Sequence, residues 1–213
     1  MFSPRSPVGG FFLRVLIWLP VIFVIWFYMA IVMSWPVTWL TNLLLPLLLP
    51  DAISGIEQNG YMLDIITRFI PALQAGVRVP ENRVAEMVFS VNPLMYGYGI
   101  PLFTALLFAT PEGEEGEKWF RWLVATAILI LVQAFGVSMD ALKTILFGMG
   151  PEVFAQMGFG KWQLEATALG YQLGYLILPA VTPVALWIGF HKKYIEQLAP
   201  GLISRLANNG SQG

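Results

Sequence analysis

The sequence predicts a mainly α, polytopic membrane protein: four transmembrane helices with a small extracytoplasmic α/β insertion that contains a two-stranded, hairpin-like element. Three observations predict it. Four long apolar runs, Phe11 to Met33, Leu94 to Thr110, Trp119 to Val137 and Ala166 to Phe190, alternate with polar segments, and each has the roughly 17 to 25 residues a helix needs to cross a bilayer core. With 57% hydrophobic residues, 12% charged residues and a mean hydropathy of +0.67, the chain is more apolar than a soluble domain of its size can conceal. Between the first two runs lie two stretches rich in β-branched and aromatic residues, the composition of strands.

Composition also removes whole classes of chemistry. A formal net charge of −1 leaves no basic footprint for a phosphate backbone, so no nucleic-acid partner is expected. The absence of cysteine excludes disulfides, thiolate catalysis and Cys-ligated zinc together.

Taken in order, residues 1–10 form a cytoplasmic N-terminus and residues 11–33 the first span. Arg5 ahead of it and Arg14 near its start resemble the start of a signal peptide, but no small-x-small cleavage site follows, so an uncleaved span is expected. Residues 34–92 form an extracytoplasmic segment. Its opening stretch, Trp35 to Pro50, is apolar but interrupted by Pro36, Pro46 and Pro50; an interfacial helix or an extension of the first span is expected rather than a further crossing. Strands follow at Gly60 to Phe69 and Arg83 to Val91. In the first, Tyr61, Leu63, Ile65, Thr67 and Phe69 share one face and Asp64 and Arg68 the other; in the second, Ala85, Met87, Phe89 and Val91 oppose Val84, Glu86, Val88 and Ser90. Pro71, Gly76 and Pro80 supply turn chemistry for a long connection. Two strands alone are marginal, so they must lean on the helices or on a partner.

Asn92-Pro93 ends the second strand, and residues 94–110 form the second span, with Tyr96 and Tyr98 as an aromatic belt at its entry. An acidic cytoplasmic loop, 111–118, leads to the third span at 119–137. An extracytoplasmic amphipathic segment at 138–165 leads to the fourth at 166–190, and 191–213 is a cytoplasmic tail. Pro20, Pro101, Pro179 and Pro183 mark expected kinks. Seven basic residues, Arg5, Arg14, Lys118, Arg121, Lys192, Lys193 and Arg205, fall on one side. Five fall on the other: Arg68, Arg78, Arg83, Lys143 and Lys161. Because Arg68, Arg78 and Arg83 lie deep in a long loop, the bias places both termini in the cytoplasm.

No catalytic residue, metal site or cofactor is expected. The single histidine, His191, stands beside Lys192 and Lys193 and reads as part of a basic flank anchoring the helix end rather than as a ligand. With no cysteine and the lone histidine on the cytoplasmic side, a nucleophile–base pair of familiar type is not expected, and no Gly-x-Ser-x-Gly elbow occurs. Asp140 and Lys143, three apart, read as an ion pair at the membrane boundary, with a proton relay as the functional alternative. Gln133 and Gln172 are polar groups within spans, suited to helix-to-helix hydrogen bonds. Gly170 and Gly174 make a small-xxx-small pair for close helix packing, whether against this chain or another.

The stretch from Ser90 to Pro111, with Asn92-Pro93, Tyr96 and Tyr98, preceded by the Gly60-x-x-x-Asp64 strand and followed by the acidic loop, resembles the exosortase H-associated membrane protein family. Those are small bacterial inner-membrane proteins found beside an exosortase that processes C-terminal sorting signals. Exosortases use a membrane-embedded Cys with Arg and His, and this chain has no cysteine. The resemblance therefore implies a multi-pass inner-membrane protein that is a non-catalytic accessory, assembling the sortase or presenting its substrate, with an exosortase-like integral membrane protein as partner and homo-oligomers possible. On that reading the charged residues of the strands, Asp64, Arg68, Arg83 and Glu86, form a partner-facing surface; the alternative is cross-strand salt bridging on a solvated face. The competing function is a subunit of a homo-oligomeric small-molecule transporter or channel assembled around the Gly170 and Gly174 face. An intramembrane enzyme using Asp140 or Glu165 lacks a second catalytic group.

Overall fold

The structure is a computed structural model, which describes residues 7–50, 52–69, 85–111 and 115–198. Its helices are α1 (Pro7–Tyr28), α2 (Ala30–Leu48), α3 (Leu94–Gly97), α4 (Gly99–Ala109), α5 (Glu115–Lys143), α6 (Pro151–Met157), α7 (Lys161–Gln172), α8 (Leu178–Phe190) and α9 (Lys192–Leu198). Helix α5 continues into a π-helical turn, Thr144–Gly148, and a second π turn, Leu173–Ile177, joins α7 to α8. By length and composition four helices can cross a membrane: Pro7–Tyr28, Ala30–Leu48, Glu115–Gly148 and Lys161–Phe190. Mainly helical architecture around a small sheet is what the sequence predicts, but two elements differ in kind.

Leu94 to Thr110 is not one long helix. It is α3 and α4, interrupted at Tyr98, and at sixteen residues Leu94–Ala109 falls among the shorter apolar helices. Ile100, Phe103, Ala105, Leu106, Leu107 and Ala109 are all buried, which is the pattern of a helix apolar on every side because it is packed on every side. Pro101 falls in the first turn of α4, where its missing N–H has no helical partner to lose.

The second difference is α2, which runs unbroken through Pro36 and Pro46. Each proline removes a ladder hydrogen bond, but α2 is held from outside by the sheet. Asn42 Nδ2 donates to the Ile56 carbonyl at 2.9 Å, Gln58 Nε2 donates to the Ile31 carbonyl at 2.8 Å, and Ser34 Oγ lies 3.2 Å from the Tyr61 carbonyl. Tertiary contact overrides local propensity here.

The sheet has three antiparallel strands in the order β1 (Ile53–Asn59), β2 (Met62–Phe69), β3 (Ala85–Val91). The two expected strands are β2 and β3, and β1 is an addition. It joins β2 through Gly60 and Tyr61, with Asn59 opposite Met62; Gly60 has φ +64, the left-handed conformation a two-residue hairpin turn demands. In β2, Leu63, Ile65 and Thr67 are buried and Arg68 is exposed, as expected, whereas Tyr61, expected on the face of Leu63, is exposed because it belongs to the turn ahead of the strand. Met87 and Phe89 are half-buried and Val91 is buried, whereas Val88 and Ser90 are exposed. A third strand and α2 supply the support that two strands alone lack.

The chain divides into two compact units. One comprises Met1–Tyr28, Tyr98–Leu129 and Ala180–Gly213; the other comprises Met29–Gly97 and Ile130–Pro179. In the first, two indoles serve Thr104 in α4 and Thr110 just past its end. Trp122 Nε1 donates to Thr104 Oγ1 at 3.0 Å and Trp187 Nε1 to Thr110 Oγ1 at 2.9 Å. Each threonine passes its own hydrogen to the carbonyl four residues back, Ile100 or Leu106, so these polar groups are satisfied without water. In the second unit, the core runs from Val37, Leu45 and Leu49 through Ile56, Leu63 and Ile65 to Val137, Ala141 and Ile145.

Candidate functional site

The glycine pair Gly170 and Gly174 faces the chain's own α5. A Cβ on Gly174 would stand 2.8 Å from the Gly136 Cα, and one on Gly170 would stand 2.6 Å from Met139 Sδ. Of the two partners left open for this glycine pair, it packs against a helix of its own chain. The π turn Leu173–Ile177 includes Gly174 and comes just ahead of Pro179, which cannot donate to the carbonyl four residues back.

Gln133 is fully buried and its Nε2 donates to the Pro93 carbonyl at 2.9 Å, tying α5 to the end of β3. Gly97 makes room for it: a Cβ there would lie 2.5 Å from Gln133 Nε2. Gln172, by contrast, is exposed. Tyr96 does not join an interfacial belt. It is 1% exposed, packed over Gly136 and edge-on to Tyr175.

Asp140 and Lys143 form the expected ion pair at 3.1 Å. Lys143 Nζ also sits 4.1 Å from the centre of the Tyr171 ring, and Tyr171 stacks on Tyr175. The lysine is thus held by one carboxylate and one aromatic face, an arrangement that fixes a helix end. Glu165 is paired with Lys161 at 3.8 Å on the surface. His191 departs from its expected place in a basic flank: it is buried, stacked 5.9 Å from Trp187, with Nδ1 3.0 Å from the Trp187 carbonyl. Among the described residues no three His, Cys, Asp or Glu side chains stand together to hold a metal.

The strand charges are largely occupied by neighbours. Asp64 accepts from Ser90 Oγ at 2.5 Å and from Asn59 Nδ2 at 3.1 Å, and Arg68 Nε donates to Ser54 Oγ at 3.0 Å. The Glu86 backbone stands opposite Arg68 in the strand register, and Arg83 lies outside the described residues. These bonds run along and across the sheet, the local pattern of a solvated strand face.

A different surface stands out. On α2, Ser34, Val37, Thr38, Thr41 and Leu45 are buried, while Ile31, Trp35, Trp39, Leu43 and Leu47 are all exposed, Trp35 at 70%. Residues four apart form a continuous ridge on a helix, the feature that interlocks with a neighbouring helix. The ridge ends beside Leu48, where an open apolar groove of about 470 Å³ begins, lined by Phe135, Met139, Leu142, Trp162 and Thr167 among others. The spacing of Trp35, Trp39, Leu43 and Leu47 was readable in the sequence, but three prolines masked the helix that gives it meaning.

Apolar helices, a three-stranded sheet braced by one of them, and an exposed aromatic ridge define a multi-helix membrane protein. The chain belongs to the exosortase H-associated membrane protein family, which matches residues 5–194 of its 213. No curated protein and no solved structure matches it.

Proposed function

We propose that the protein is a non-catalytic accessory of an exosortase-type sorting system in the bacterial inner membrane, and that it engages the exosortase through the α2 ridge. The family match over residues 5–194 carries the reading. Both termini face the cytoplasm and the sheet lies on the opposite side, in keeping with the seven-to-five distribution of basic residues.

The position of α2 supports a protein rather than a lipid partner. Its bonds to the sheet involve Ile31, Ser34 and Asn42, spread over three turns. A sheet with open edges and exposed Glu57 and Asn59 is not tolerated in hydrocarbon, so the helix bonded to it stands outside the bilayer core despite its hydropathy. An exposed apolar ridge in that position marks an interaction surface. The strand charges expected to face a partner, Asp64, Arg68, Arg83 and Glu86, tune the encounter rather than anchor it on this reading.

The test is affinity purification from the native host in mild detergent, comparing wild type with Trp35→Ser/Trp39→Ser and with Asp64→Ala/Arg68→Ala. A cysteine-containing sortase-like membrane protease recovered with wild type and the strand variant, but lost with the tryptophan variant, is the expected result. Recovery of this chain alone from every sample would sink the accessory reading.

A further inference from the structure

We propose that a cationic pocket at the ends of two apolar helices binds the phosphate of an anionic phospholipid headgroup. The pocket, about 580 Å³, is lined by Glu117 and Arg121 from the first turns of α5 and by Phe190, His191, Lys192 and Lys193 where α8 passes into α9. All of these residues lie in one compact unit. A headgroup of a few polar groups fits a cavity of this size.

The charge is one-sided. Three cations face one carboxylate, and Glu117 is already paired with Arg121. Lys192 and Lys193 are exposed and have no ion-pair partner among the described residues. Two exposed ammonium groups and a guanidinium oriented by Glu117 make a site for a phosphodiester, for which Arg offers a fork and Lys a point charge.

Its place in the fold selects a lipid over a free anion. The pocket stands where the apolar stretches Glu115–Gly148 and Lys161–Phe190 begin and end, the depth at which basic side chains meet phospholipid phosphates. Next to its lining in sequence, Phe120 and Leu123 on α5 and Val184 and Ile188 on α8 expose apolar surface, a track along which acyl chains can run. Buried His191 and half-buried Phe190 close the inner wall, so the phosphate is met from the polar side and the chains from the apolar side.

The full chain, delipidated in mild detergent, is titrated with phosphatidylglycerol, phosphatidylcholine or inorganic phosphate, and bound lipids are counted by native mass spectrometry. The expected result is preferential retention of phosphatidylglycerol over phosphatidylcholine. That retention falls several-fold in Lys192→Gln/Lys193→Gln, returns in Lys192→Arg/Lys193→Arg, and is unchanged in Lys161→Gln, whose lysine is 90% exposed elsewhere. Circular dichroism checks that the glutamine pair folds; if it does not, the two single substitutions carry the comparison. Equal retention of both lipids, or an equal loss in Lys161→Gln, overturns the proposal. Displacement of phosphatidylglycerol by millimolar inorganic phosphate identifies a free-anion site and overturns the lipid assignment.

Discussion

Gly174 and Gly136 meet backbone to backbone, with only hydrogens between two helices: a Cβ on Gly174 would lie 2.8 Å from the Gly136 Cα. Backbone cannot move aside as a side chain can. Gly174→Ala is therefore expected to destabilise the protein by about 1–3 kcal/mol through overpacking. Gly170→Ala meets only the flexible thioether of Met139 and is expected to cost less than about 1.5 kcal/mol. Thermal unfolding in detergent compares the two. An oligomer-forming role for this face would instead change the oligomeric state in both variants.

Gln133 is the one polar tie between α5 and the end of β3 described above. Gln133→Leu keeps much of the volume but leaves the Pro93 carbonyl buried without its donor, a loss of about 1–3 kcal/mol. Denaturation of wild type and variant in the same detergent measures it; an unchanged midpoint would mean that water replaces the amide.

Asn42 anchors α2 to β1 through the Ile56 carbonyl. Asn42→Leu removes about 1 kcal/mol of net bonding and is expected to speed hydrogen exchange at the β1 amides while leaving the β2–β3 ladder protected. Equal acceleration across all three strands would show that the sheet opens as one unit and that α2 does not brace it selectively.

Lys143 is held by Asp140 and by the Tyr171 ring. Lys143→Met retains the stem and loses a partly exposed ion pair, so its cost is expected to stay below about 1 kcal/mol. Proton flux into vesicles reconstituted with the variant is expected to match that of wild type. Flux present in wild type and absent in the variant would reinstate the relay.

These expectations also show where the sequence was readable. Alternation in Leu63, Ile65 and Thr67 against Asp64 and Arg68 told the faces of β2 correctly, because one face packs on a core and the other is solvated. The pairing of Asp140 with Lys143 followed from helical spacing alone. Leu94 to Thr110 was harder: lipid and protein interior demand the same residues, so a run of that kind does not say which will surround it. The β1 strand hid because Ile53, Ser54, Gly55, Ile56 and Glu57 have weak strand composition, and only the Asn59-Gly60 turn announced the hairpin. Helix α2 hid because its prolines are tolerated through contacts with that unrecognised strand. Tyr96 was misplaced for a similar reason, since the room it packs into is made by Gly136, forty residues further along the chain.

The most direct test of the central claim is photo-crosslinking in the native host, with benzoylphenylalanine at position 39 on the α2 ridge and, as a lipid-facing control, at exposed Leu16 on α1. The account predicts one protein adduct from position 39, identified by mass spectrometry as the exosortase, and no protein adduct from position 16. Crosslinks from position 39 to lipid or to a second copy of this chain, with no exosortase adduct, would contradict it.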